Sequence, residues 1–451
     1  MATPRPVTRF EYGIATTIVA ATIVMASSFS YFFVGPVPIW LALGAAGLGL
    51  AIIYGRLLPA WELSAELRWI VAAWLSLILI AGALDIFGDM PRDFMAGAVL
   101  NLMTFFVFLG LFALATFTDN RRVVATIIAI AAFQALLGIA QFFGSGAAWR
   151  FPDMMAGIFP MFTRLEYDAV FDVSLMSFEQ VGRVRGSQPV VHVYNQIQAL
   201  LVSFSVVVAL TDNGISFGSR LRNMAAWGAI GLGVIGVFLS FSRSGILAIL
   251  GAAVIALVLN PKPSRILIAS IGAAVVLLAL IYLGFSDSSQ FYRLTQSLDE
   301  GNTNLERFSH LEHAWRNFLN NPLIGASGPN GYPDLSLPIH SVPMRYLNDY
   351  GLIGFVLYMS VFGGFVALFV RRLKSPSPIV SAWAGCGIAA LLVVVVDSWT
   401  HSSGFLRRDL MQAAMLGFVA GAMLAAEWRA GLGWKRVPRA QHPGSMPARA
   451  A

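Results

Sequence analysis

The chain has 451 residues, of which 57% are hydrophobic and 12% charged, with one cysteine and a formal net charge of +7. Soluble domains carry about 25% charged residues, so a string of soluble domains is excluded and the bilayer is the solvent this composition suits. The lone Cys386 allows no internal disulfide. In a membrane chain the basic surplus bears first on topology and anionic head groups, not on nucleic acid.

A spanning helix needs about 20 apolar residues. In chain order, apolar runs occur near Gly13 to Val34, Pro38 to Tyr54, Trp69 to Phe87, Met95 to Phe117, Val123 to Phe143 and Val190 to Leu210. Six more lie near Met224 to Ser240, Gly245 to Leu259, Ile266 to Phe285, Tyr346 to Val370, Ile379 to Trp399 and Leu410 to Trp428. The pattern predicts an all-α polytopic membrane protein of about twelve spans. With the N-terminus inside, 18 of the 30 Lys and Arg residues fall on cytoplasmic segments and 12 outside, the bias expected of cytoplasmic loops. The chain is therefore expected to comprise a cytoplasmic N-terminus (1–12), one transmembrane domain (13–428) and a basic, disordered cytoplasmic tail (429–451). The first apolar run is long enough to span and has no A-x-A type exit, so it is expected to be a retained span.

Two extracytoplasmic loops, 144–189 and 286–345, exceed the length of ordinary connections. The first carries Trp149, Phe151, Phe159, Phe162, Tyr167 and Phe171 among acidic residues. The second holds a helix-like stretch from Asn304 to Asn320, then Asn321-Pro322 and the turn-rich GASGPNGYPD. No phosphate-loop string occurs on the cytoplasmic side, which argues against an ATP-driven machine. The absence of a visible inverted repeat argues against the commonest transporter plans.

The twelve outside arginines oppose the topology rule, so a local anion should offset them. Arg243, in FLSFSRSGILA, lies between two apolar runs that leave almost no loop. An arginine so close to hydrocarbon costs about 2.5–3.5 kcal/mol unless it snorkels or meets an anion. Both readings stand: a snorkelling helix end, or a phosphate ligand at the outer surface. Arg183 and Arg185 close the first long loop before a span that opens with His192, Asn195 and Gln196; these amides either glue helices or line a cavity. Arg307, with Glu306, His310, Glu312, His313 and Arg316, opens the helix-like stretch of the second loop, where a solvated face also accounts for such charges. His340 stands before the Tyr346 span in LPIHSVPMRYLNDYGLIGF, and imidazole can accept a proton near neutral pH. His401, Arg407, Arg408 and the weaker base candidate Asp397 belong to the same outer surface. No metal-ligand spacing is present. Arginine suits an anion because its planar fork binds phosphate oxygens bidentately.

Several of these strings together resemble the bacterial O-antigen ligase and O-antigen polymerase superfamily. FSRSGILA is similar to the family's Ser-Arg at the outer end of a span. In ERFSHLEHAWRNFLNNPLIGASGPNGY, Arg307 precedes the Asn-Pro-Leu-x-Gly motif, with Pro322 fifteen positions after Arg307. HSVPMRYLNDYGLIGF places His340, Gly351 and Gly354 in the family's His and Gly-x-x-Gly positions. In RVRGSQPVVHVYNQ, Arg185, Gly186 and Asn195 match a weaker Arg-x-Gly run ahead of an Asn-bearing span. The match covers roughly Arg183 to Phe369. Leu311 and Ser341 replace residues that are often aromatic and Asn in the family.

The resemblance implies a type C glycosyltransferase-like fold and an undecaprenyl-diphosphate-dependent, inverting glycosyltransferase of the bacterial inner membrane, with its active site facing the periplasm. Arg243 and Arg307 would hold the donor diphosphate and His340 would stand beside the acceptor hydroxyl, so these three are the expected catalytic residues. Fixed cations around a diphosphate leaving group contribute about 3–4 kcal/mol per well-placed donor, and proton removal by His340 about 10²- to 10⁴-fold. Arg183, Arg185, Asn195, Arg316 and Arg345 are the expected substrate-binding residues. No nucleotide, metal or other cofactor is required. The partners are a lipid-linked glycan donor and either a lipid-linked repeat unit (polymerase) or the lipid A core (ligase). A transporter or flippase of lipid-linked oligosaccharide is the alternative, and a structural scaffold a third reading.

Overall fold

The computed structural model describes residues 8–34, 37–53, 64–87, 92–163, 184–188, 191–211, 220–240, 243–259, 272, 311–312, 314–325, 341–400 and 410–431. Helix α1 (Arg9–Ser28) starts on a capping box. Thr8 Oγ1 accepts the Glu11 N–H at 3.2 Å and the Glu11 carboxylate accepts the Thr8 N–H at 2.9 Å, so the sequence itself satisfies two donors that a helix start leaves open. A hairpin of β1 (Phe33–Val34) and β2 (Val37–Pro38), antiparallel with Val34 opposite Val37, leads into α2 (Ile39–Ile53). Then come α3 (Ala65–Phe87), α4 (Arg92–Ala115) and α5 (Asn120–Phe142), two short helices α6 (Gly146–Trp149) and α7 (Phe151–Ile158), and α8 (Val191–Leu210). Helices α9 (Arg220–Leu239), α10 (Arg243–Leu259), α11 (Val342–Leu373), α12 (Pro378–Thr400) and α13 (Leu410–Arg429) complete the set.

Among the described residues nine helices are long and apolar enough to cross a membrane, and two more, Ile39–Ile53 and Ser244–Leu259, are apolar but shorter. Eleven of the apolar runs read from the sequence are therefore helices. The remaining run, Ile266 to Phe285, lies outside the described residues apart from position 272, as does the basic tail beyond Gly431. Apart from the short hairpin, the regular structure among the described residues is helical, and the molecule is a multi-pass membrane protein.

Helices α8 and α13 form the interior. α8 touches α5, α9, α10 and α12, while α13 lies against α4, α12 and α1. Both are buried on nearly every side. Lipid and leucine are equally apolar, so close backbone approach has to hold such helices together. Gly417 and Gly421, one turn apart on α13, provide it: a methyl group on Gly417 would stand 2.5 Å from the Phe108 carbonyl oxygen of α4.

One end of the bundle collects charge. Arg372 Nε lies 2.7 Å from Glu427 and its Nη1 3.8 Å from Glu66, while Arg371 Nη1 is 2.5 Å from Glu66. Asp119 caps α5 and donates its N–H to Thr16 Oγ1 of α1 at 2.9 Å. Glu66, Asp119, Arg371 and Arg372 belong to segments that the Lys and Arg count assigns to the cytoplasm, and Thr16 and Glu427 lie in the adjoining ends of spans.

Helix α11 departs from the single continuous span expected of Tyr346 to Val370. At Gly351 (φ 62°, ψ −157°) the helix breaks into two halves, in a region of backbone space open almost only to glycine.

Candidate functional site

The end of the bundle opposite the ionic cluster carries the polar residues. The segment Arg185-Gly186-Ser187-Gln188 has no regular structure, yet it is buried. Irregular backbone is tolerated at membrane depth only where protein satisfies its hydrogen bonds. Two glutamines of α5, seven residues apart and so on one helix face, do this. Gln141 Oε1 accepts the N–H groups of Arg185 and Gly186 at 2.8 and 2.9 Å, and its Nε2 donates to the Gly186 carbonyl at 2.8 Å. Gln134 Oε1 accepts the Ser187 N–H at 2.9 Å, and its Nε2 donates to Ser187 Oγ at 2.6 Å and to the Ser27 carbonyl at 2.9 Å. Gly186 turns with φ 56°, and a methyl there would collide with Gln134 Oε1 and the Tyr194 ring.

Arg185 is fully buried within this cradle. Its guanidinium donates to the Trp149 carbonyl, lies 5.7 Å from the Trp149 ring centre and 4.0 Å from Asp153. Its partners thus come from the first long loop.

The first turns of α8 distribute contacts to three sides. Tyr194 Oη donates to the Gly236 carbonyl of α9 at 3.2 Å. Asn195 Oδ1 accepts from Ser240 Oγ at 2.9 Å, and a methyl on Gly245 would come within 3.1 Å of it. Asn195 therefore sits at the tip of α10, whose first residue is Arg243. Gln196 Nε2 donates to Asp397 Oδ1 at 2.5 Å, and Gln412 Nε2 to Asp397 Oδ2 at 2.8 Å. The buried Asp397 carboxylate is thus fixed by amides from α8 and α13, with α12 packed along α11.

On α11, the rings of Tyr346 and Tyr358 stack at 4.7 Å, and Asn101 of α4 reaches Tyr346 Oη at 3.3 Å. The break at Gly351 receives a second motif. The Asn321–Gly325 turn docks on it: the Leu352 N–H donates to the Pro322 carbonyl at 2.8 Å and the Ile353 N–H to the Leu323 carbonyl at 3.4 Å. The turn thereby caps the donors that the second half-helix leaves open. Gly325 and Gly351 touch backbone to backbone; a methyl on either would lie 2.6 Å or less from main-chain atoms of the other segment. Asn317 Nδ2 adds a bond to Asn348 Oδ1 at 3.1 Å. The Asn-Pro-Leu-x-Gly string and the Gly-x-x-Gly string are therefore one packed unit.

The structure brings Asn195 to the tip of the Arg243 helix and places the Arg185–Gln188 cradle against α5, with Gly186 against the Tyr194 ring. Arg345 lies in the first half of α11, partly buried, with its Nε 3.4 Å from the buried Asp349. Arg316 is exposed and pairs with Glu312 at 2.5 Å, a surface pair one helical turn long. The Arg243 side chain, Arg307, His340 and Arg183 lie outside the described residues. Gln134, Gln141, Gln412 and Asp349 were not singled out as site residues from the sequence. The two-turn spacing of Gln134 and Gln141 on an apolar span was the visible signal for that pair.

Residues 228–359 match the family model described as O-antigen ligase. That stretch runs from α9 into α11 and contains Arg243, Arg307, the Asn321–Gly325 turn, His340 and the Gly351 break. No curated protein matches the chain.

Proposed function

We propose that the chain, whose residues 228–359 match the O-antigen ligase family model, transfers a glycan from an undecaprenyl-diphosphate donor to an acceptor sugar hydroxyl on the periplasmic face of the inner membrane. The family match supports a glycosyltransferase-like membrane enzyme. One observation carries this proposal: the turn that follows the Arg307 segment is docked on the helix that His340 precedes. The contact of Asn195 with Ser240 at the tip of α10 supports the same reading.

In this reading Arg243 and Arg307 neutralise the diphosphate as negative charge grows on the leaving group, and His340 takes the proton of the attacking hydroxyl. The oxygen attacks opposite the diphosphate, the anomeric C–O bond to the diphosphate breaks and the centre inverts. Arg345 and Asn195 line the approach, while Arg185 and Asp397 hold the surrounding elements. The cations are supplied by arginine, so transfer persists in chelator, and dependence on added Mg²⁺ or Mn²⁺ would refute this account. Polymerase and ligase remain two forms of one chemistry. Purified protein is incubated with undecaprenyl diphosphate oligosaccharide, with and without lipid A core, and the products are sized. A ladder without core indicates a polymerase and one core-linked product a ligase. An untouched donor supports the transporter reading instead.

A further inference from the structure

Helix α5 has 23 residues, about 35 Å at about 1.5 Å per residue, enough to cross a hydrocarbon layer of about 30 Å. Helix α2 has 15 residues, about 22 Å, and falls short. Thr16, seven residues into α1, meets Asp119, the cap of α5, so α1 begins about 10 Å before α5, and its last residues, Ser27 and Ser28, meet Gln134. The α1–α2 turn therefore lies about 12 Å below the last residue of α5, Phe142.

Residues 146–163 occupy the space above that turn. The chain reverses at Gly144 (φ 79°) and runs back along α5. Gln141 Nε2 donates to the Ala148 carbonyl at 2.9 Å and Trp149 Nε1 to the Gln141 carbonyl at 3.1 Å. The Phe151 ring lies 5.8 Å from that of Phe133, about 14 Å below the end of α5. Phe151 also meets Phe29, Phe159 meets Phe32, and the Phe33 N–H donates to the Phe162 carbonyl. The other side of this segment is apolar and uncovered: Met154, Ile158, Phe159, Met161 and Phe162 are exposed, Met161 to 87%. It continues the exposed apolar side of α5 at Leu136 and Phe143.

We propose that residues 146–163 form a re-entrant segment whose Met154-to-Phe162 face rests against the acyl chains of the leaflet at the C-terminal end of α5. Because the α1–α2 turn stops about 12 Å short of the end of α5, the space beyond it is left to this segment. Its Phe159 and Phe162 N–H groups and Phe162 carbonyl are hydrogen-bonded within the protein, and an apolar face of this extent at that depth meets lipid. Through Trp149 and Asp153 the same segment holds Arg185, so the lipid-facing wall and the cradle are one body. The inference is independent of the glycosyltransferase reading.

The test uses the full chain with the buried Cys386 replaced (Cys386→Ala), reconstituted in vesicles. Ile158→Cys and Met161→Cys are each labelled with a small fluorophore. Exposed Lys374→Cys, at the C-terminal end of α11, serves as the water reference and exposed Leu79→Cys of α3 as the lipid reference. Brominated phosphatidylcholine is expected to quench both test labels to within about twofold of the Leu79 label, with little quenching by iodide. Iodide quenching at the Lys374 level at either position would overturn the proposal.

Discussion

A single methyl group is the finest probe of the Arg185 cradle. At Gly186 the backbone takes a positive φ and both Gln134 and Tyr194 press on the missing side chain. Gly186→Ala is expected to destabilise the protein by about 1–3 kcal/mol, read as a lower thermal midpoint in detergent. An unchanged midpoint would show that the cradle is loose. At the reacting end, His340→Ala is expected to slow turnover of lipid-linked donor by about 10²- to 10⁴-fold while donor binding changes little. Equal turnover would remove His340 from the chemistry. Arg243→Ala is expected to abolish transfer with membrane abundance intact, because an arginine at a helix tip with almost no loop has few other uses. The arginine-rich strings and their order were legible in the sequence. The amide partners were not, because glutamine on a span serves helix packing as readily as it serves a buried loop.

Among the elements, α11 is the one whose behaviour its own sequence conceals. Its apolar run reads as one helix, and no proline interrupts it between Pro343 and Leu373. The break at Gly351 depends on a distant partner, the Asn321–Gly325 turn, whose carbonyls replace the helical acceptors lost there. Gly351→Ala puts a methyl 2.5 Å from the Leu323 carbonyl and is expected to lower transfer at least about tenfold, equivalent to about 1.4 kcal/mol. Gly363→Ala, in open space on the same helix, is expected to leave transfer unchanged, since alanine suits a helix better by about 0.5–1 kcal/mol. A Gly351→Ala protein as active as Gly363→Ala would mean that the docked turn does not position the site. Helix α2 tells the complementary story: its 15 apolar residues looked like a short span, and only the segment laid over the α1–α2 turn accounts for the missing length.

For the molecule as a whole, two polarised ends matter. The ionic cluster of Glu66, Arg371, Arg372 and Glu427 gathers at one end, and the polar cradle, Asn195 and Asp397 gather at the other. If the charged end faces the cytoplasm, as the Lys and Arg count predicts, Lys374→Cys in the Cys386→Ala background is labelled by an impermeant maleimide only in inverted vesicles. Labelling from the outside of intact cells would reverse the assignment and take the site off the periplasmic face. Composition and apolar run length by themselves determined that the chain is a helical, multi-pass membrane protein, because burial in lipid demands long apolar helices whatever their partners. The residue strings around Arg243, Arg307 and His340 were legible as well, and they lie in the stretch that matches the O-antigen ligase family model. Only the tertiary structure decided that two of those strings form one docked unit, that Arg185 is enclosed by the first loop, and that this loop folds back beside α5. Those outcomes rest on hydrogen bonds and backbone contacts between residues tens to hundreds of positions apart, which no local pattern encodes.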